Sequence, residues 1–328
     1  MALQDTLSKK GGLVLKKVCQ LIATLPSLAT IAFPVSENQV IRTFAEPNIS
    51  EVRFNTGARS PFTPEETIQR LSYLSQQYGK KLWIDLKGRQ LRIIEWADTL
   101  YEAIKLNHSF EVELPARIVF RNDTSATIAS FDGNSLFISK PHRVVGKGQS
   151  VNILGKNLHI TDGYLTALDK EYISALRNIP LPEVNIMASF VESKEDIEEI
   201  ANLRGDPEHK ATYCAKIESQ NGMDFVYSQP FVSPYHFMAA RDDLFIELEG
   251  NYPRMKNALI TISKCDKEAI CASRIFTSLV DNDAPSLADF EDLEWMYKIG
   301  YRRFMLSDSV CNYAFEKAMK AWEGFIDA

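Results

Sequence analysis

The stretch that decides the fold is residues 211–244, which read ATYCAKIESQNGMDFVYSQPFVSPYHFMAARDDL. It contains two short apolar runs, Ala211–Ile217 and Tyr235–Ala240, and charged residues close each run. A buried strand that delivers ionisable side chains at its carboxyl end is typical of a (β/α)8 barrel, whose catalytic face is built from the segments after the strands. The stretch therefore predicts two neighbouring barrel strands with a polar site at their ends. The charged residues are Lys216 and Glu218 at the first end and Arg241, Asp242 and Asp243 at the second.

Two carboxylates at neighbouring strand ends make this site a candidate metal centre. Glu218 and Asp243 would repel each other at short range, and a divalent cation between them would remove that cost. Mg2+ or Mn2+ is expected, because these ions prefer oxygen ligands. Lys216 would then hold a negative substrate or a transferring phosphoryl group. A Lys-x-Glu at a strand end is also compatible with a simple solvated rim, so the rest of the chain has to decide.

The composition is that of an ordinary globular protein and excludes several classes of function. The chain has 328 residues, of which 45% are hydrophobic and 24% charged, and this length fits one barrel with a small insertion. The net charge is −6, so we expect no nucleic-acid partner and no binding to anionic membranes. The five histidines are scattered and form no HExxH motif, so a zinc site is not expected.

Cysteine usage and the first residues indicate a cytoplasmic protein. The five cysteines form no CxxC motif and are expected to be reduced thiols. Residues 18–33 are fairly apolar and follow two lysines, as in a signal sequence, but they contain Gln20 and Pro26 and lack a clear cleavage site. Export is therefore not expected, and no stretch is long and apolar enough to span a membrane.

Strands and helices alternate along the chain, as parallel strands with crossover helices require. Residues 1–25 have apolar side chains at helical spacing and predict an amphipathic helix that caps the bottom of the barrel and ends at Pro26. Capping signals at Ser36, Thr63, Ser193 and Ser286 predict later helices. The eight predicted strands are Leu28–Phe33, Ser50–Asn55, Leu82–Asp85, Val184–Phe190, Ala211–Ile217, Tyr235–Ala240, Ala269–Ser273 and Arg302–Leu306.

One region interrupts the alternation and predicts a small β-rich insertion after the third strand. Short runs of β-branched and aromatic residues are separated there by turn residues, which is typical of an antiparallel unit. The domain prediction is residues 1–92 for the first part of the barrel, 93–150 for the insertion and 151–328 for the remainder. An insertion at a βα loop lies on the catalytic face, where it is placed to act as a lid. Its predicted strands are Phe110–Leu114, Ala116–Arg121, Thr127–Phe131 and Leu136–Ser139.

The two motifs in the opening stretch, AKIES-x-x-G and MAARDDL, resemble the KIEN-x-x-G and M-x-ARGDL motifs of the pyruvate kinase family. Further similarities follow in the family's order along nearly the whole chain. The resemblance implies a (β/α)8 TIM barrel of the phosphoenolpyruvate/pyruvate type, with a shortened B domain and without the family's C-terminal regulatory domain. The similar segments are 30–36 (TIGPAS in the family), 52–57 (VARLNFSHG), 85–92 (DTKGPEIR), 146–152 (KGVNLPG), 168–173 (LSEKDIEDI), 188–191 (ASFV), 270–274 (ITATQ) and 305–307 (MLS).

The resemblance implies a catalytic role or a cation for each of several residues. Glu218 and Asp243 would bind Mg2+ (or Mn2+), which would hold the 2-oxo acid or its enolate. Lys216 would stabilise the transferring phosphoryl group or the enolate oxygen. The remaining implied residues are Ser273, whose hydroxyl would serve proton transfer, Arg53, which would meet the phosphate, and Asn55 and Asp85, which match part of a K+ site.

The resemblance also implies a binding place for the substrate carboxylate. Backbone N–H groups between Ala240 and Asp243 would receive it, helped by a helix N-terminus. The substrate-binding residues implied in this way are Ser189, Ala240, Arg241 and Asp242.

Several departures from the family pattern concern the substrate and nucleotide side. Asp242 and Phe245 stand where the family has glycines, and Glu192 replaces an arginine after ASFV. The NFSHG segment is shortened to Asn55-Thr56-Gly57, and the insertion is about half the usual length. The metal and enolate half of the site is therefore expected to be retained, and the nucleotide half reduced.

Three functions are compatible with the sequence. The first is a divergent phosphotransferase that acts on phosphoenolpyruvate, pyruvate or a related 2-oxo acid enol phosphate, with a metal-bound enolate stabilised by lysine. The second is a metal-dependent carbon–carbon lyase or aldolase that uses a pyruvate enolate. The third is a catalytically inactive relative that binds a metabolite or a protein. A nucleotide partner is left open, and so is a homodimer through the predicted helix from Ser286 to Tyr297.

Overall fold

The computed structural model describes residues 17–28, 34–58, 60–121, 124–180, 183–228 and 234–328. Its strands, in chain order, are β1 (Gln20–Thr24), β2 (Ile49–Asn55), β3 (Lys81–Leu86), β4 (Ala97–Asp98), β5 (Ile104–Lys105), β6 (Phe110–Phe120), β7 (Ser125–Asp132), β8 (Ser135–Ile138), β9 (Val144–Val145), β10 (Val151–Ile160), β11 (Val184–Ala188), β12 (Tyr213–Ile217), β13 (His236–Ala240), β14 (Ile270–Ala272) and β15 (Arg303–Met305). Its α-helices are α1 (Pro34–Ala45), α2 (Pro64–Tyr78), α3 (Ala167–Leu176), α4 (Lys194–Arg204), α5 (Gln220–Ser228), α6 (Arg241–Glu247), α7 (Tyr252–Cys265), α8 (Leu287–Ile299), α9 (Asp308–Tyr313) and α10 (Phe315–Ile326), and a 3-10 helix covers Thr277–Val280.

Eight parallel strands close into a barrel in the order β1-β15-β14-β13-β12-β11-β3-β2. Most of their residues are fully buried, because helices cover the outside and side chains from opposite strands fill the inside. Met187, Met238 and Met305 are among the side chains that fill the interior below the mouth of the barrel. The predicted (β/α)8 barrel is confirmed.

The first strand lies earlier in the chain than predicted. β1 is Gln20–Thr24, inside the segment that we expected to be a helix, so the helix prediction is wrong there. The predicted strand Leu28–Phe33 falls mostly on residues 29–33, which lie outside the described residues, as do residues 1–16. The strand was mistaken for a helix because its residues Leu21, Ile22, Ala23 and Thr24 are all buried. A strand buried on both faces has no polar alternation, and its apolar residues therefore also match a helical spacing.

The other seven predicted barrel strands overlap observed strands, and two of the capping signals show full capping boxes. Thr63 precedes α2, where its side chain accepts from the N–H of Glu66, while a Glu66 oxygen accepts from the N–H of Thr63. Ser286 and Asp289 make the same reciprocal contacts at the start of α8. These contacts satisfy N–H groups that a helix start would otherwise leave without partners.

The insertion forms its own antiparallel sheet in the order β10-β6-β7-β8-β5, with a separate apolar core. Two predicted strands on either side of Pro115 are one strand, β6, so that predicted break is wrong. β6 continues through Pro115, opposite a stretch where its pairing with β10 is irregular. An irregular ladder tolerates proline, because a missing N–H costs little where regular pairing is already interrupted. The sheet includes β10, so it extends to Ile160, beyond the boundary that we placed at residue 150.

Two further expectations concern the thiols and the membrane. All five cysteines lie in the described part of the chain and none of them forms a disulfide. Within the same ranges, no helix has both the length and the apolar character that crossing a bilayer requires.

Candidate active site at the barrel mouth

The carboxyl ends of the barrel strands and the insertion enclose a cavity of about 1040 Å³. Because all eight strands are parallel, the side chains that follow them meet at this one end. Eight of the predicted site residues line the cavity, and three, Asp85, Ser189 and Arg241, lie behind its wall. The eight that line it are Arg53, Asn55, Lys216, Glu218, Ala240, Asp242, Asp243 and Ser273.

Asp85, at the end of β3, is the centre of the charged network behind the wall. It is fully buried and accepts a hydrogen bond from Arg53 Nε at 2.8 Å and from Ser189 Oγ at 3.3 Å. The ammonium groups of Lys87 and Lys216 lie 3.4 and 3.5 Å from its oxygens. Burial alone would raise the pKa of Asp85, but these cations hold it well below its usual range. Asp85 therefore orients three cations, and a K+ ion at Asn55 and Asp85 stays a prediction.

Lys216 connects this network to the carboxylates of the cavity. It is buried, and its Nζ lies 2.7 Å from Ser189 Oγ and 3.1 Å from Glu218 Oε1. Burial lowers the pKa of Lys216, but the attraction of Asp85 and Glu218 outweighs burial and raises it. The lysine is therefore a fixed positive charge at the cavity wall, and Ser189 positions it without lining the cavity itself.

Glu218 and Asp243 supply the carboxylates that we predicted as metal ligands. Glu218 Oε2 accepts from the N–H of Phe190 at 2.8 Å, and Phe190 holds a left-handed φ of 50°, which is unusual for an aromatic residue. Burial and the nearby charge of Glu218 raise the pKa of Asp243 to about 7. The described residues contain no group of three or more His, Cys, Asp or Glu side chains that could hold a metal ion. Two carboxylates on one cavity nevertheless fit Mg2+ or Mn2+, which take the rest of their ligands from water and substrate.

The side chain of Arg241 does not line the cavity, and its predicted part in binding substrate, which rests on backbone N–H groups, stays a prediction. Its guanidinium is buried and contacts the carboxylate of Asp292 at 2.7 and 2.8 Å. It also donates to the carbonyl oxygens of Ala272, at 3.1 Å, and Ser273. The planar fork of arginine suits several acceptors at once, and here it fixes the end of β14. Arg241 is therefore a positioning residue.

The backbone that Arg241 holds is strained. Ser273 and the following Arg274 have φ values of 66° and 61°, in the left-handed region that non-glycine residues seldom occupy. Strain of this kind persists only where surrounding contacts enforce it, and it is common at functional sites. The strained turn places Ser273 at the cavity wall, and its part in proton transfer stays a prediction.

Asp242 has a cationic partner that the sequence pattern did not indicate. Its carboxylate lies 2.8 Å from Arg274 Nε, and both side chains are more than half exposed. The guanidinium of Arg274 in turn lies 5.1 Å from the centre of the Phe245 ring. Two of the departures from the family pattern, Asp242 and Phe245, therefore contact a third residue, Arg274, at the rim of the cavity. The extra negative charge of Asp242 is balanced by that contact.

Two residues of the site were missed by sequence reasoning. Asp308 follows β15, lies 3.3 Å from Arg53 and accepts from Asn55 at 3.4 Å. Lys87 lines the cavity, and burial lowers its pKa to about 7 although Asp85 opposes this effect. The signal for Lys87 was present, because it lies two residues after Asp85 and thus on the same side of the strand. Asp308 had no local signal beyond its place after the MLS segment.

Comparison with known proteins agrees with the closed barrel that the structure shows. Residues 125–316 match the family described as pyruvate kinase, barrel domain. The pyruvate kinase of Methanocaldococcus jannaschii is 26% identical over 275 residues, which cover 79% of this chain and 60% of that protein. That of Thermoplasma acidophilum is 24% identical over 286 residues, or 81% of this chain and 51% of the relative. That of Debaryomyces hansenii is 31% identical over 180 residues, or 53% and 35%. The chain thus matches between about a third and three fifths of the length of these relatives. The family match covers more than half of the chain, and the chain belongs to the pyruvate kinase barrel-domain family.

Proposed function

We propose that the chain transfers a phosphoryl group between phosphoenolpyruvate, or a related enol phosphate of a 2-oxo acid, and a phosphate-bearing acceptor. The observation that carries this proposal is the position of Lys216. Its charged ammonium group lies at the cavity wall 3.1 Å from Glu218, and Asp243 faces the same cavity from the next strand. Phosphoryl transfer needs positioning and charge neutralisation more than covalent help, and this arrangement supplies both.

The residues that would hold the metal are Glu218 and Asp243. A divalent ion bound there would neutralise negative charge on the substrate oxygens. Asp243 in particular gains from a cation, because its carboxylate is crowded by that of Glu218 in a partly buried position.

In the direction of pyruvate formation, an oxygen of the acceptor forms a bond to phosphorus while the bond from phosphorus to the enol oxygen breaks. The electron pair of that bond stays on the enol oxygen, and Lys216 would stabilise the negative charge that develops there. Arg53 and Lys87 line the same cavity and would hold the transferring group. The enolate then takes a proton at its terminal carbon, and the hydroxyl of Ser273 would deliver it.

The substrate carboxylate would be received by backbone N–H groups in the segment from Ala240 to Asp243. Asp242 would not repel it strongly, because Arg274 pairs with the Asp242 carboxylate. This balance accounts for an aspartate beside a site that has to accept an anion.

The test is phosphorus NMR of phosphoenolpyruvate with the purified protein and Mg2+, with and without ADP or pyrophosphate. We expect the phosphoenolpyruvate signal to disappear and a new phosphoryl product to form only when an acceptor is present.

Lys216→Met should abolish the reaction. Lys210→Met is the matched control, because Lys210 is an exposed lysine outside the cavity and should be dispensable. An unchanged phosphoenolpyruvate signal with every acceptor would refute the proposal. Cleavage of a 4-hydroxy-2-oxo acid to pyruvate and an aldehyde by the same preparation would favour the lyase instead.

A further inference from the structure

One histidine joins the insertion to the barrel at the place where the chain passes between them. The chain leaves the barrel after β3, near Gly88, and returns after β10, near Asp162. His108 stands between these two points, just before β6 begins, and only 2% of it is exposed. Its Nε2 lies 2.9 Å from the carbonyl oxygen of Gly88, and its Nδ1 lies 2.8 Å from Asp162 Oδ1. The ring therefore bridges both connections.

Both partners of the His108 ring accept hydrogen bonds and have no hydrogen to give. A carbonyl oxygen is an acceptor only, and so is an ionised carboxylate. Burial raises the pKa of Asp162, but the hydrogen bonds from the N–H of Ser109 and from His108 outweigh burial and lower it. Asp162 is therefore ionised at neutral pH. An imidazole ring donates from both nitrogens only when it carries a positive charge, so the two contacts together correspond to the imidazolium form.

A neutral ring has to give up one of the two contacts, and the chemistry of the acceptors decides which one. A hydrogen bond to a carboxylate is stronger than one to a neutral carbonyl group. The remaining proton therefore stays on Nδ1, facing Asp162, and Nε2 is the nitrogen that loses its proton. The lone pair of Nε2 then meets an oxygen that can only accept, so the hydrogen bond to Gly88 is lost.

The carbonyl group of Gly88 belongs to a tightly held turn beside the catalytic cavity. Gly88 has a φ of 49°, and a Cβ atom there would lie 2.5 Å from the carbonyl oxygen of Ser189. The N–H groups of Lys87 and Gly88 donate to the carboxylate of Asp169 at 2.8 and 3.0 Å. The turn is thus fixed to the barrel by Asp169 and to the insertion by His108. Lys87, which lines the cavity, lies at the start of this turn.

The charged groups around this contact leave Asp162 as the main influence on the ring. Among the described residues, it is the one ionisable side chain within ion-pair distance of His108. On the insertion, Glu111 and Asp132 lie at neighbouring backbone positions but are exposed, so solvent and salt screen their charges. The charged groups on the barrel side have partners of their own, namely Asp169 with the two N–H groups, Arg89 with Asp196, and Lys87 with Asp85.

We infer that His108, in its imidazolium form, is a positioning residue that fixes the insertion against the turn after β3, and that loss of its proton releases this contact. The insertion encloses the cavity together with the barrel mouth, so its release moves one wall of the cavity away from Lys87. The effect on phosphoryl transfer rests on the proposed function, whereas the contact and its dependence on the proton do not.

Nitrogen NMR of protein labelled at its histidines tests the protonation directly. The His108 signals are identified by their absence from His108→Gln. We expect protons on both ring nitrogens of His108 at pH 5.5 and on Nδ1 alone at pH 9. A ring that is neutral at pH 5.5, or a neutral ring that keeps its proton on Nε2, would overturn the inference.

Hydrogen exchange measures the release of the insertion. In the native protein, the amides of residues 88–92 and 107–110 should exchange about tenfold faster at pH 9 than at pH 5.5, after correction for the intrinsic rate, because one charge-assisted hydrogen bond is lost. This difference should be absent from His108→Gln. The matched control is His159→Gln, because His159 is an exposed histidine of the same sheet, and it should behave like the native protein. Equal protection of the native protein at both pH values would refute the release.

Asp162→Asn is a second variant, which keeps the histidine and removes the charge that stabilises the imidazolium. The pH at which exchange accelerates should move down in this variant. An unchanged midpoint would contradict the assigned contact between His108 and Asp162.

The pH profile of kcat/KM for phosphoenolpyruvate links the contact to the reaction. The native profile should contain a decline toward high pH that His108→Gln lacks. Lys87, Asp243 and Glu247, whose pKa values are about 7 or 8, are present in both proteins, so the difference between the two profiles isolates His108. Profiles of the same shape would refute the positioning role. If the native protein transfers no phosphoryl group, the proposed function fails, and NMR and hydrogen exchange still decide this inference.

Discussion

The two ends of the barrel hold buried charges in different ways. At the amino-terminal end, Arg303 contacts Glu51 at 2.8 and 2.9 Å, and Trp83 Nε1 donates to the same carboxylate at 2.5 Å. That group is enclosed in the barrel, and the Glu51 carboxylate is paired there by protein groups, although Arg303 Nε has no hydrogen-bond partner among the described residues. At the carboxyl end, Asp85 is shared among several cations, and the network opens onto a cavity. The comparison shows that protein groups enclose the buried charges at one end of the barrel, whereas similar charges at the other end face a cavity. The cations around Asp85 are Arg53, Lys87 and Lys216.

The largest expected effect is on the stability of the closed end. Arg303→Met leaves Glu51 buried without its cation and should lower the free energy of unfolding by about 3–5 kcal/mol. Urea denaturation measures the change, and the activity per folded molecule should not change. The double variant Glu51→Gln with Arg303→Met should recover much of the loss, since no uncompensated charge remains. A loss below ~1 kcal/mol in the single variant would show that the pair is not a closed structural unit.

At the open end, we expect a substitution to lower the rate of phosphoryl transfer. Asp85→Asn removes the carboxylate that orients Arg53 and Lys216, and misplaced catalytic groups cost about 100-fold or more. Steady-state phosphoryl transfer, corrected for the folded fraction, measures the effect. The matched control is Asp206→Asn, because Asp206 is also buried but accepts hydrogen bonds from Lys210, Ala211 and Tyr213 outside the cavity. It should lower stability and leave the corrected rate unchanged. Equal rate losses in the two variants would mean that Asp85 acts through stability alone.

The sequence predicted those strands and site residues whose signals lie within one short segment of the chain. β12 and β13 could be recognised because each is a short apolar run that ends in charged residues, and barrel closure brings such ends together. β1 was missed because complete burial removes the alternation that identifies a strand. Asp308 could not be placed from sequence, because it meets Arg53 only when β15 closes on β1. His108 was missed for a similar reason, since it meets Gly88 and Asp162 only once the insertion packs on the barrel.

Glu247 makes the stability of the open end of the barrel depend on pH. This carboxyl accepts from Asn152 Nδ2 at 3.0 Å, and burial, with added repulsion from Asp243, raises its pKa to about 8. A carboxyl whose pKa is raised on folding binds its proton more tightly in the folded state. Its contribution to stability is therefore complete below its usual pKa and is lost as the pH rises through about 8.

Glu247→Gln should accordingly be more stable than the native protein at pH 9, because glutamine keeps an oxygen for Asn152 and carries no charge. The advantage should shrink steadily and vanish near pH 4. Urea midpoints across this range measure the difference. Glu249→Gln is the matched control, because Glu249 is an exposed carboxylate two residues away. A pH-independent difference between Glu247→Gln and the native protein would contradict the assigned protonation.

The smallest expected effect lies at the rim, where Asp242 and Arg274 are paired and exposed. Exposed pairs contribute about 0–1 kcal/mol, so Arg274→Gln should hardly change the free energy of unfolding. It should nevertheless raise the KM for phosphoenolpyruvate several-fold, on the order of the ~1 kcal/mol that an unscreened nearby carboxylate costs an anionic substrate. Asp242→Gly should restore the KM in the Arg274→Gln background, because the repelling charge is then gone. The four KM values form a double-mutant cycle. Additive effects would mean that the two side chains act independently, and the charge of Asp242 would then have a role of its own in the site.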